Sequence, residues 1–358
     1  VKADPQEPGP RLLLISHLLS NQDPKAALTA AQEAAAALPK NLEVMNALGT
    51  AQLAAGETQQ ALATFGRAVA AHPKSIQSNM LLAEAYSSAK DYEQAQQTLN
   101  RVLEINPRYL PAQRALIALA MSEKRSADAL ALARSIQQQR PQESVGFFAE
   151  AEVHVSQQRN DLAVVALKTA FERQPGTETA IRYHGMLLQA DRRQEAERTA
   201  AVWRQRYPKD RVFVMYLGNS AVGRKDFVQA EQLFRTALES SPDDGTALNN
   251  LAYALVRQGK PESLKYATRA NELLPESPPV LDTLALALAL SNRLPEAVQL
   301  QRRAVSLSKN APRYRLHLAE LLIQAGDHEA AKAELEALRR LGGRFDRQAE
   351  VTTLLARL

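Results

Sequence analysis

Eight prolines recur along the chain, at Pro39, Pro73, Pro107, Pro141, Pro175, Pro208, Pro242 and Pro275, with successive spacings of 34, 34, 34, 34, 33, 34 and 33 residues. Proline lacks a backbone N–H and clashes with the preceding turn, so beyond the first turn it stops a helix. A stop signal at a fixed interval implies a linear array of similar units, each packed on its neighbours. The length of 358 residues agrees, because it exceeds what one compact core usually organises.

The unit is clearest from Asn41 to Pro73. Met45, Leu48 and Leu53 place apolar residues at helical spacing until Gly56, which sits where a helix C-cap glycine belongs. A second run, Ala61, Leu62, Phe65, Ala68 and Val69, repeats that spacing and ends at Pro73. The small residues Gly49 and Ala61 suit the point where the two helices cross, since larger side chains would hold the backbones apart. Leu48, Gly49, Ala61, Phe65, Ala68 and Pro73 together resemble the tetratricopeptide repeat (TPR) pattern.

The frame continues on both sides. Leu82 and Ala95, Leu116 and Ala129, Ala151 and Ala163, Gly185 and Ala196, Leu217 and Ala230, Ala252, Leu284 and Ala297, and Leu318 and Ala331 occupy matching places. The ninth unit ends near Lys309, and Trp203 falls at a packing position of the sixth. After Gly342 and Gly343, Val351, Leu354 and Leu355 mark a last amphipathic helix. The expected organisation is an irregular lead-in at 1–7, one solenoid of about ten helix-turn-helix repeats over 8–343, and a capping helix at 344–358. Low aromatic content, abundant Ala, Leu, Gln and Arg, and no alternating β-branched runs place the fold in the all-α class.

Composition removes several functions. A net charge of +5 is too mild to demand nucleic acid, and Glu84, Glu152 and Asp282 argue against an RNA-reading groove. With no cysteine, disulfides, thiolate zinc sites and thiol catalysis are excluded. No apolar run is long enough to span a membrane. The chain starts at Val1 without an apolar secretion segment, which we read as a fragment of a longer product. His17, His72, His154, His184, His317 and His328 are scattered, and no H-E-x-x-H, G-x-S-x-G or P-loop motif occurs. His317 and Glu320, three apart on one helix, could form half a metal site, but no further ligand accompanies them and a solvated polar face accounts for them. Neither a catalytic residue, a metal site nor a cofactor is expected.

In proteins with the TPR pattern, the helix pairs coil into a right-handed superhelix whose inner surface is lined by the first helix of each pair. That resemblance directs attention to positions 2, 5, 6, 9, 12 and 13 of each first helix, counted so that Leu-Gly occupies 7 and 8. Early repeats place Asn46, Thr50, Met80, Glu84 and Arg114 there, a mixed set. Later repeats place Phe148, Glu152, Arg182, Tyr183, Met186, Met215, Tyr216, Asn219, Asn249, Asn250, Tyr253 and Asp282. Tyr, Asn, Arg and Met offer flat contact area and paired donors and acceptors, as a groove for an extended polar ligand needs. The candidate groove is therefore Phe148, Arg182, Tyr183, Met215, Tyr216, Asn219, Asn249, Asn250, Tyr253 and Asp282, binding a protein or peptide partner or a polysaccharide. The competing account is that these tyrosines pack on the next repeat and that the Asn pair, which has no local capping duty, bonds to a neighbouring repeat. A basic stretch, Arg192, Arg193, Arg198, Arg204, Arg206, Lys209 and Arg211, reads as a solvated outer face or as a contact for an acidic partner.

Three C-terminal segments, ALNNLA (247–252), PESPPVLDTL (275–284) and YRLHLA (314–319), resemble TPR proteins, commonly lipoproteins, of bacterial PEP-CTERM/exosortase exopolysaccharide systems. Tyr253 and Ala285-Leu286 stand where that family often has Trp and Gly-Trp. The resemblance implies an exported, periplasmic or outer-membrane-associated scaffold. The alternative is a substrate-recruiting or glycan-binding arm of an enzyme whose catalytic domain lies outside this sequence.

Overall fold

A computed structural model describes residues 7–308 and 311–358. All but the last residue of the expected lead-in at 1–7, and the end of the ninth repeat at Lys309, lie outside the described residues. Every described element is helical, and the helices come in pairs. The first five pairs are α1 (Pro8–Ser20) and α2 (Pro24–Ala37), α3 (Leu42–Ala54) and α4 (Thr58–Ala71), α5 (Ile76–Ser88) and α6 (Tyr92–Ile105), α7 (Leu110–Ser122) and α8 (Ser126–Gln139), and α9 (Val145–Ser156) and α10 (Asn160–Arg173). The sixth and seventh are α11 (Thr177–Gln189) with α12 (Arg193–Arg206) and α13 (Arg211–Gly223) with α14 (Phe227–Ser240). The last three are α15 (Gly245–Arg257) with α16 (Ser263–Leu273), α17 (Pro278–Leu290) with α18 (Leu294–Leu307), and α19 (Pro312–Gln324) with α20 (His328–Arg339). A single 3₁₀ turn at Gly342–Arg344 precedes α21 (Gln348–Leu355). The helices group into two compact units, one ending at Ala196 and one beginning at Glu197.

The periodic prolines act as the sequence implies. The residue ahead of each leaves the helical region, as at Leu38 (φ −131°), His72 (−132°), Asn106 (−139°) and Leu274 (−136°), because the proline ring crowds a helical predecessor. The connection within each pair has its own rule. Ten residues adopt a left-handed conformation at equivalent places: Gln22, Gly56, Lys90, Lys124, Gln158, Asp191, Lys225, Gly259, Asn292 and Gly326. Only three are glycine, so the turn is imposed by the packing of the two helices and the other seven positions carry backbone strain.

In the first unit, a side chain at Gly49 would place its Cβ 2.4 Å from the buried ring of Phe65, confirming the close crossing. Asn79 donates from Nδ2 to the carbonyls of Pro73 (3.0 Å) and Ser75 (2.8 Å), and Gln113 donates to the Pro107 carbonyl (3.1 Å). A buried amide thus ties these first helices to the end of the preceding repeat. In the second unit, Gly218 meets Phe234 as Gly49 meets Phe65, again at 2.4 Å. At its C-terminal end Val351 of α21 and Phe345 pack on Leu316, Ala319, Leu335 and Leu338. The last helix therefore packs on the apolar face of the tenth repeat.

Candidate functional site

The first unit holds three of the ten candidate residues. Arg182 on α11 lies over the ring of Phe148 on α9, with its guanidinium carbon 4.3 Å from the ring centroid. It also donates from Nε to Glu178 (3.0 Å) and reaches Glu152 (3.6 Å). This makes a polar, partly exposed patch whose charges are internally matched. Tyr183 is elsewhere: only 7% exposed, it stacks on Phe171 (5.7 Å between centroids) within the cluster formed by Leu167, Met186 and Leu187. Its large ring fills volume that this alanine-rich core would otherwise leave open. A depression in this unit, about 500 Å³, is lined by Met80, Leu81, Tyr92, Leu99, Ala115 and Leu119 between α5, α6 and α7.

The second unit holds the other seven, on first helices. Tyr216 is half-buried against Phe213 (5.9 Å), and burial pushes its phenol above the usual range. Met215 beside it is half-buried. Asn219 is exposed and accepts from Asn250 Nδ2 (2.9 Å), while Asn250 Oδ1 accepts from Asn249 Nδ2 (3.2 Å). This relay joins α15 to α13, so the bond to a neighbouring repeat weighed from the sequence is present. It leaves the Oδ1 of Asn249, a residue 9% exposed, without a hydrogen-bond partner. Tyr253 stands edge-on to Phe227 (6.3 Å). Its hydroxyl accepts from Arg257 (3.4 Å).

Asp282 on α17 is 6% exposed, and its Oδ1 accepts from Gln301 Nε2 (2.6 Å) and from His317 Nδ1 (2.7 Å). Gln301 donates also to the Tyr314 carbonyl (2.9 Å). Asp282 thus anchors α18 and α19 to α17, and His317 belongs to a buried polar network rather than to a solvated face. Among the described residues no group of three or more His, Cys, Asp or Glu could hold a metal.

These residues surround a cavity of about 550 Å³. Asn249, Asn250, Tyr253 and Arg257 enter it from α15, Pro279, Asp282 and Thr283 from α17, and Arg313 and His317 from α19. Arg347 and Glu350, at the start of α21, and Lys225, in the turn after α13, complete it. Arg257, Pro279, Thr283, Arg313 and His317 fall at positions 2, 6 or 13 of their helices, so the positional rule carried into every repeat would have found them. Nothing in the repeat frame marks Arg347 and Glu350. Those two pair through Arg347 Nε and Nη2 (both 2.8 Å). Behind them burial pushes the Glu320 carboxyl up, with Glu350 adding to the rise and His317 and Arg347 opposing it.

Two residues of the basic stretch hold carboxylates. Arg192 holds Glu195 with two bonds (both 2.7 Å), and Arg211 pairs with Asp244. Trp203 is buried, as expected, and its indole N–H donates to Asp210 (2.8 Å).

Two family models described as tetratricopeptide repeat match the chain, one over residues 18–84, 52–120 and 288–358 and the other over 217–263, together more than half of it. A 117-residue stretch, 32% of this chain, is 34% identical to cellulose synthase 2 operon protein C of Komagataeibacter xylinus. The match spans 9% of that protein's length. Among solved structures, the Cut9–Hcn1 hetero-tetramer of the APC/C is similar at 10% identity, over 96% of this chain and 95% of that one, with a TM-score of 0.48. The TPR domain of P58(IPK) is similar at 15% identity over 88% and 98%, with a TM-score of 0.30.

Proposed function

The chain belongs to the tetratricopeptide repeat family, and on that premise we propose that it is a non-catalytic scaffold that captures partners on the first-helix faces of its repeats, in the handling of exopolysaccharide at the bacterial envelope. The observation that carries this reading is the concentration of polar side chains on first helices in the second unit, around a cavity at whose lining Asn249 keeps one buried acceptor without a partner. A surface built only for solubility scatters such groups, whereas a recognition surface gathers them. The stretch shared with a cellulose synthase operon protein supports the polysaccharide setting. The periplasm or the outer membrane is the compartment this role requires.

The test is affinity capture from envelope extract of a bacterium carrying the native gene. The intact chain is compared with a variant bearing Glu84→Arg, Arg182→Glu and Asn219→Arg, three exposed first-helix positions. Recovery of polysaccharide synthase or export subunits by the intact chain and their loss in the variant is the expected result. Equal recovery by both would place the binding surface elsewhere, and recovery of cytoplasmic partners alone would end the envelope reading.

A further inference from the structure

We infer that the second-unit cavity binds a carboxylate-bearing sugar residue of an acidic polysaccharide. The inference rests on reading the first-helix face as the binding surface, and three features of the lining point to this chemistry.

The first is an acceptor without a donor. Asn249 lines the cavity and is nine-tenths buried; its Nδ2 is committed to Asn250, and its Oδ1 has no hydrogen-bond partner. A buried carbonyl in this state is costly, and a ligand O–H or N–H that reaches it recovers the loss.

The second is an excess of cations. Asp282 gives its Oδ1 to Gln301 and His317, and Glu350 is held by both arms of Arg347. Arg257 and Arg313 have no carboxylate partner among the described residues. They rest on aromatic rings, Arg257 5.2 Å from Phe227 and Arg313 4.6 Å from Tyr314, and donate to the Tyr253 and Tyr314 hydroxyls. Stacking pre-orders a guanidinium while leaving its remaining N–H groups free for a carboxylate.

The third is polarity on nearly every side. Among the described residues that line the cavity, Pro279 is the one aliphatic side chain. A peptide gains most of its affinity by burying apolar or aromatic anchors, and this lining has no recess for one. A simple carboxylate would satisfy the arginines but could not donate to Asn249. A neutral sugar could donate but would leave the arginines unmatched. A sugar acid supplies the carboxylate and the hydroxyls on one small ring, and the volume accommodates a short oligomer.

The test is titration calorimetry of the whole chain with oligoglucuronate, with neutral cello-oligosaccharide and an acidic peptide as comparison ligands. Oligoglucuronate is expected to bind and the other two to bind at least tenfold more weakly. Affinity for it should fall on raising the salt. Arg313→Gln and Arg257→Gln, both exposed positions that leave the fold intact by circular dichroism, should each lose about tenfold in affinity. Asn249→Asp, which places a like charge against the ligand, should lose more. Equal binding of the cello-oligosaccharide, tighter binding of the peptide, no binding at all, or indifference to the Arg313→Gln change would each overturn the inference. Failure here with protein capture intact would leave the scaffold standing, because the capture variant alters other residues.

Discussion

Adding one methyl group at two glycines of the same repeat should move its stability in opposite directions. At Gly49 the new Cβ would lie 2.4, 2.6 and 2.7 Å from three carbons of the Phe65 ring, which is fully buried and cannot swing aside. Overpacking of a core costs about 1–3 kcal/mol, while alanine gains about 1 kcal/mol over glycine in a helix interior. Three contacts under 3.0 Å put the overpacking in the upper part of that range, about 2–3 kcal/mol, so the net expectation for Gly49→Ala is a loss of about 1–2 kcal/mol. At Gly66, inside α4, nothing lies within 4 Å of the same atom. Gly66→Ala should therefore stabilise by about 1 kcal/mol. Repeat arrays open locally, so the informative assay is native-state hydrogen exchange of α3 and α4 amides in the full chain. Exchange should quicken roughly 5–30-fold for Gly49→Ala and slow for Gly66→Ala. Phe65→Leu should relieve the clash, so that the double variant loses less than the two single losses combined. A neutral or stabilising Gly49→Ala would refute the wedged crossing.

The remaining predictions concern single contacts. Asp282→Ala removes the acceptor shared by Gln301 and His317; hydrogen bonds to a charged group contribute about 1.5–3 kcal/mol, so protection of α17 to α19 should fall by about 3 kcal/mol. Lys124→Gly, at a φ of 60°, should raise the stability of the fourth repeat by up to about 1 kcal/mol in a urea titration, whereas Lys124→Val should lower it. Glu320 has its carboxyl raised by burial, so the folded chain holds that proton more tightly than the unfolded one. Its stabilising share is then complete below the ordinary carboxyl range of about 4–5 and is lost as the pH rises through the higher folded value. Exchange in α19 and α21, corrected for intrinsic rates, should show protection falling from acid toward neutral pH, and Glu320→Gln should flatten that trend.

The helix pairs, their ends and the glycine crossings were legible because each depends on residues a turn or a few turns apart. Helical phase also carried the candidate face, which placed Asn249, Asn250, Tyr253 and Asp282 around one cavity. It did not separate surface from core within that face. Tyr183 and Tyr216 hold the same position of consecutive repeats, yet one lies in the core and the other is half-buried, because their neighbours differ. Asp282, read as a ligand contact, lines the cavity and is also a buried anchor, since its partners Gln301 and His317 come from other helices.

The sequence by itself determined the all-α repeat, its period, the stop of each second helix and the small residues at the crossings, since proline sterics and the 3.6-residue turn act within a few residues. Tertiary structure decided which first-helix residues are left unsatisfied. It also decided that seven non-glycine residues take the left-handed turn, and that Arg347 and Glu350 reach the cavity from beyond the last repeat. Those outcomes depend on the packing of helices distant in sequence, where burial and hydrogen-bond partners are shared between repeats and no single repeat contains the information.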